Sequence, residues 1–143
     1  SVNMKISNNR EVTVRRYQEQ DAEKIVNIIR RNFLEVNVKD YGEDAMKALA
    51  EHHDVNWFKQ IASYANVYVF CIEDEVIGVG SISSFWGSLT ESILLTIFVL
   101  PELHGNGIGK FIIETLEQDE LFLRADRIEI PASITATEFY RKQ

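Results

Sequence analysis

Ten residues, Pro101-Glu102-Leu103-His104-Gly105-Asn106-Gly107-Ile108-Gly109-Lys110, hold the densest chemistry in the chain. Three of the seven glycines fall within five positions here, between an apolar run from Ile93 to Leu100 and a second from Phe111 to Leu116. Strand, glycine loop and helix in that order give a backbone what it needs to wrap a phosphate. Glycine takes positive φ and lets a ligand approach the amides closely. The first amides of a helix point outward unpaired, and the helix dipole adds partial positive charge there. Lys110 adds a full charge, and no carboxylate lies between Leu103 and Ile113. In a chain of formal net charge -7 that is a local departure. A Walker-type loop requires Gly, four residues, then Gly-Lys-Ser/Thr. Here Lys110 is followed by Phe111, and His104 stands where the first glycine belongs. A dinucleotide fingerprint requires G-x-G-x-x-G, and its third glycine position is Lys110. His104-x-x-Gly107-x-Gly109 is the spacing left to explain.

The elements around this loop follow from periodicity. Glu11 to Tyr17 alternates as a strand. Asp21 is a helix N-cap candidate, and Ala22, Ile25, Ile29 and Phe33 share one helical face. Gly42 interrupts, and Ala45, Leu49, Trp57, Phe58 and Ile61 predict a second, broken helix. Val67 to Ile72 and Val76 to Phe85 predict a hairpin across Glu73-Asp74-Glu75, without an Asn-Gly turn signal. Leu89 to Val99, apolar on both faces, predicts a central strand. A helix from Gly107 to about Glu117, a short strand from Arg127 to Ile130 and a helix from Ser133 complete the order β, α, α, β, β, β, α, β, α. The fold class is α/β (α+β): a mixed central sheet flanked by helices, with a right-handed parallel crossover from Leu89 to Ile130. Residues 1–10 are polar and expected to fray, leaving one domain over 11–143.

Composition narrows the partners. An acidic chain argues against nucleic acid as main partner and mildly favours cations such as amines, although excess acid is ordinarily a solvated surface. The single cysteine, Cys71, excludes an internal disulfide and lies in an apolar run, as an inert buried thiol would. No apolar stretch reaches the roughly 18 residues of a membrane span, and residues 1–20 carry no signal-peptide core. The cytosol is the expected compartment. His52-His53 invites a metal, but no third ligand is placed by spacing, so none is expected.

His104-x-x-Gly107-x-Gly109 after an apolar strand and a proline resembles the acyl-CoA pyrophosphate loop of the GNAT superfamily of N-acetyltransferases. His104 departs from the usual Arg or Gln. Ser133-x-x-Ala136-x-x-Phe139-Tyr140-Arg141-Lys142 resembles that family's N-x-x-A-x-x-F-Y-x-K segment, about 30 residues later and after the short strand, with Ser133 in place of Asn. The resemblance covers about residues 11–143. It implies transfer of an acetyl group from acetyl-CoA to a primary amine of a small molecule or protein. A non-catalytic acyl-CoA-binding module is the alternative.

The resemblance also implies roles. The pyrophosphate falls to His104, Gly105, Asn106, Gly107, Ile108, Gly109 and Lys110. The pantetheine arm and carbonyl polarisation fall to the backbone of Ile97, Phe98 and Val99. Ser133, Phe139 and Tyr140 lie against the cofactor, and Tyr140 protonates the leaving thiolate, as an unperturbed phenol at neutral pH is able to do. The family's carboxylate base falls on Ile93. Glu91, two residues earlier and on the same strand face, is the candidate base, directly or through a water, with a solvent-exposed carboxylate the blander reading. Phe33, Tyr41, Trp57, Phe85 and Trp86 fall where the acceptor pocket is walled. The family fold ordinarily continues for two more strands after the last helix, whereas this sequence ends at Gln143. Three explanations stand: a partner chain, such as a second copy in a homodimer, covers the edge; the fold is trimmed; or the chain is a fragment. The last is favoured, because an unpaired apolar edge invites aggregation.

Overall fold

The computed structural model describes residues 3–131. Six strands form one sheet in chain order: β1 (Met4–Lys5), β2 (Glu11–Arg16), β3 (Asn66–Ile72), β4 (Glu75–Ser84), β5 (Glu91–Val99) and β6 (Arg127–Glu129). Neighbours are antiparallel except β5 and β6, which run parallel, as the expected crossover requires. Between β2 and β3 lie α1 (Ala22–Asn32), a π-helical turn (Phe33–Asn37), α2 (Val38–Tyr41), α3 (Glu43–His52) and α4 (Val55–Tyr64). Between β5 and β6 lie a 3-10 turn (Pro101–Leu103), α5 (Ile108–Leu116) and α6 (Glu120–Leu123).

The sheet divides two apolar layers. Ile25, Ile29, Phe58 and Ile61 from the helices preceding β3 pack on Val67, Val69 and Val79. On the other face Ile108, Ile112 and Leu116 of α5 pack on Phe70, Ile82, Leu94 and Ile97. Ile25, Ile29 and Ile112 are fully buried, each contributing about 2–3 kcal/mol of transfer free energy. Gly80 sets how closely α5 approaches: a Cβ there would stand 2.3 Å from Ile112 Cγ2.

The N-terminus corrects one expectation. Residues 1–10 do not all fray: Met4 and Lys5 pair with Val12 and Glu11, and Ile6 is buried. Asp21 stands at the start of α1 but makes no cap bond to it. Its carboxylate takes two hydrogen bonds from Arg15, at 2.8 and 2.9 Å, and one from the Gln18 amide. Arg15 foremost holds the Asp21 carboxyl below its ordinary range. The β3–β4 turn is made by Glu73 and Asp74, both at positive φ (49° and 69°), the geometry of a tight hairpin without its usual glycine. The short α6 has no counterpart in the sequence reading; Asp119 caps it by accepting from the Leu121 amide at 2.7 Å. Cys71 is buried, and burial pushes its thiol up, as an inert core thiol requires. Among the described residues, no helix is long and apolar enough to cross a membrane.

Candidate active site

The glycine loop adopts the conformations its sequence demands. Gly105 and Gly107 both have positive φ, 85° and 81°. Gly107 is the left-handed residue from which α5 starts, and no side chain caps that start. The first bond back into the helix is Phe111 N–H to Gly107 O, at 3.1 Å. The amides of Ile108, Gly109 and Lys110 therefore have no intrahelical acceptor. Among the described residues, a Cβ on Gly105 would meet no atom within 4 Å, and one on Gly107 would meet only Met4 Cε at 3.8 Å. The loop is thus a cradle of amides with room above it, and it fits a pyrophosphate. Ile108 offers only its backbone, since its side chain is buried in the core between α5 and the sheet. Lys110 is exposed at the same end. Glu102, the nearest acid before the loop, is engaged by Arg31 at 2.8 Å. That guanidinium lowers its carboxyl and also holds Glu35.

His104 faces inward to the strand. Its Nε2 lies 3.0 Å from the Val99 carbonyl oxygen. The Asn32 amide donates to the same oxygen at 2.9 Å, and to Ile28 O at 2.9 Å. One carbonyl therefore joins the end of β5 to both the loop and α1. Sequence reasoning missed Asn32. Its signal was present: a polar residue seven positions after Ile25 on the apolar face of α1, where a buried amide needs partners.

Along β5, pairing with β6 runs only from Glu91↔Arg127 to Ile93↔Glu129. Beyond Ile93, β5 pairs with no further residue of β6 among the described residues. On its other edge β5 carries a bulge: Ser81 pairs with Leu95 and Val79 with Phe98, so that Gly80 alone opposes Thr96 and Ile97. Leu94 and Ile97 consequently share the α5 face, whereas Leu95 and Phe98 share the other. The bulge also changes which residues bond to β4. Before it, Glu91 O accepts from Phe85 of that hairpin; after it, Leu100 N–H donates to Ile77 O. By strand alternation, Phe98 then faces β4, whereas Ile97 and Val99 direct their backbone groups into the gap left by β6. Two amides at a parted strand, followed by an amide-lined loop, form one continuous donor track.

The structure does not bring Glu91 to that track. It opens β5, six residues or roughly 20 Å of strand before Ile97, with Arg127 Nε at 3.9 Å. Phe33 is buried, edge-on to Phe98 at 5.9 Å and to His53 at 4.9 Å, and His53 lies 4.4 Å from Trp57. These rings form a wall on the side of the sheet opposite α5. Tyr41 is largely exposed and Trp86 is 90% exposed, so neither lines an enclosed pocket among the described residues. His53 binds Leu49 O through Nδ1 at 2.7 Å. Ser133, Phe139 and Tyr140 lie outside the described residues.

Known proteins share this fold. No curated protein sequence matches the chain. Solved structures do, at low identity and with shared fold. A PaiA N-acetyltransferase from Thermoplasma acidophilum, in complex with coenzyme A, superposes with TM-score 0.63 at 16% identity over 74% of this chain and 69% of its own. A predicted acetyltransferase from Clostridium acetobutylicum, with acetyl-CoA, gives TM-score 0.62 at 14% identity over 92% and 87%. A possible acetyltransferase from Clostridium difficile 630 gives 0.61 at 15% identity over 92% and 88%. The model of the acetyltransferase (GNAT) family matches residues 23–143, and with most of the sequence inside that match, the chain belongs to the GNAT family of acetyltransferases.

Proposed function

We propose that the protein transfers an acetyl group from acetyl-CoA to a primary amine, of a small molecule or of a protein, by direct attack. The observation that supports this most is the donor track: the Ile97 and Val99 backbone, turned into the gap between β5 and β6, leads into the amides of Gly105 to Lys110. Bound acetyl-CoA supplies the activated acyl group. The loop amides and Lys110 hold its pyrophosphate, and the free edge of β5 receives the pantetheine arm as an added strand. An amide of Ile97 or Val99 polarises the carbonyl as charge grows on its oxygen. The amine nitrogen bonds to the carbonyl carbon while the carbon–sulfur bond breaks. The amine proton leaves to water, and Tyr140 gives its proton to the departing thiolate. The ring wall of Phe33, His53 and Trp57 borders the acceptor. The cytosol is the compartment in which this reaction is placed.

Thiol release from acetyl-CoA over a panel of amines tests the proposal, together with Tyr140→Phe. We expect turnover with at least one amine and a Tyr140→Phe variant whose kcat falls far more than its affinity for acetyl-CoA. Tight binding without turnover on every amine assigns the protein as a non-catalytic acyl-CoA-binding module. Absence of binding overturns both readings.

A further inference from the structure

We propose that the Ser81 hydroxyl is a positioning group for acyl transfer, acting through the β5 backbone rather than on the substrate; the inference rests on the reading above. Ser81 is fully buried in the middle of β4, where a hydroxyl is tolerated only with a partner. Its Oγ donates to Leu95 O at 2.7 Å and is hydrogen-bonded to the Thr96 hydroxyl. Leu95 is the last residue paired before β5 slips by one against β4, and Thr96 is the first of the two that oppose Gly80 alone. Thr96 pays for that slip with φ of 42°, a conformation that a β-branched residue adopts only when its surroundings enforce it.

The consequence reaches the amides that matter. On an unbulged strand, residues of the same parity as Glu91 would all face β4, and Ile97 and Val99 would be spent on the ladder. The extra residue reverses the parity, so that Phe98 and Leu100 face β4 instead. Ser81 bonds the residue just before the reversal and the first residue of it. Its neighbour Gly80 is pressed by Ile112 of α5, the helix that begins at the phosphate loop. The slip in β5 and the seat of that helix are thus referenced to adjacent residues of one strand. Removing the hydroxyl releases the slip while leaving the loop residues as they are.

The experiment uses the full chain carrying Ser81→Ala. Three quantities are measured: kcat on the best amine, acetyl-CoA affinity by calorimetry, and backbone amide NMR resonances without ligand. We expect kcat to fall on the order of tenfold or more, because a misplaced donor costs rate at that scale, with a smaller loss of acetyl-CoA affinity, since the pantetheine arm loses contacts on β5 while the loop amides are left as they are. Resonance shifts should concentrate in residues 94–99 and spare 105–110. Unchanged kcat, or affinity falling as far as kcat, overturns the proposal. Should Ser81→Ala fail to fold, Ser81→Cys, of similar shape but a weak donor, is judged by the same outcomes. Should the wild-type protein turn over no amine, the proposed reaction fails, and the resonance pattern alone decides whether Ser81 sets the slip.

Discussion

Gly105→Ala separates a loop that merely turns from a loop built around a ligand. At φ of 85° an L-residue is strained, yet the new Cβ would meet no atom of the described residues within 4 Å. The protein therefore loses only the conformational cost, about 1–2 kcal/mol for an L-residue in left-handed geometry. In a domain of this size that lowers Tm by roughly 4–8 °C, at about 4 °C per kcal/mol. Gly87→Ala is the matched control. Gly87 has φ of 75°, equally open surroundings and a place in the β4–β5 turn, away from the loop. Both variants should lose the same stability. They should differ in acetyl-CoA binding, because only at Gly105 does the methyl occupy the space that the proposed reaction assigns to the pyrophosphate. Losing one charge-assisted amide–phosphate hydrogen bond costs about 1.5–3 kcal/mol, or about tenfold to a hundredfold in Kd. Calorimetric titration of both variants with acetyl-CoA reads this directly. Equal affinities for the two, with equal losses in Tm, would refute the assignment of the loop.

Two further outcomes are expected. Tyr68 donates to the buried carboxylate of Asp119 at 2.6 Å. Burial first, and Asp119 second, push its phenol up to about 12. The folded value lies above the unfolded one near 10, so this stabilisation is present below about pH 10 and is lost as pH rises toward 12. Thermal melts of wild type should show a Tm that declines across that window, and Tyr68→Phe should flatten the decline; parallel curves would exclude the linkage. His104→Ala leaves Val99 O with its Asn32 donor, so it should cost about 1 kcal/mol of stability and weaken acetyl-CoA little. A loss in affinity comparable to that of Gly105→Ala would show that the imidazole contacts the cofactor instead of bracing the strand.

Much of the architecture was legible because it depends on patterns that tertiary context cannot easily override. Ile25 and Ile29 recur at helical spacing and are buried on one face. The parallel pairing of β5 with β6 follows from the intervening helix, since a crossover of that kind has one dominant hand. The loop was legible from glycine spacing, because Gly105 and Gly107 occupy conformations that other residues resist. The short α6 was not legible: four residues carry too little periodicity, and its start depends on Asp119, whose burial comes from Tyr68 and Asn66 some fifty residues away. Met4 and Lys5 escaped notice for the same reason, as a two-residue strand has no pattern of its own. His104 was read as a departure from an expected phosphate-binding residue. Its role as a brace required knowing that the Val99 carbonyl had left the β4 ladder.

That carbonyl shows why the site was harder to read than the fold. A strand pattern predicts faces, and faces are a property of side chains. The proposed chemistry uses backbone groups, whose direction depends on parity along the strand. Parity is reset by one inserted residue at Thr96, and nothing in the run Leu94-Leu95-Thr96-Ile97-Phe98 marks that residue as different from a strand position. The information lies across the sheet, in a serine at 81 and a glycine at 80 that read, in sequence, as weak strand formers. Both are explained once the bulge and α5 are in place: glycine lets the helix close on the strand, and serine holds the slip. Polar or small residues in an apolar strand are therefore the trace that a backbone site leaves in a sequence, and in this chain they stand on the strand beside the site rather than in it.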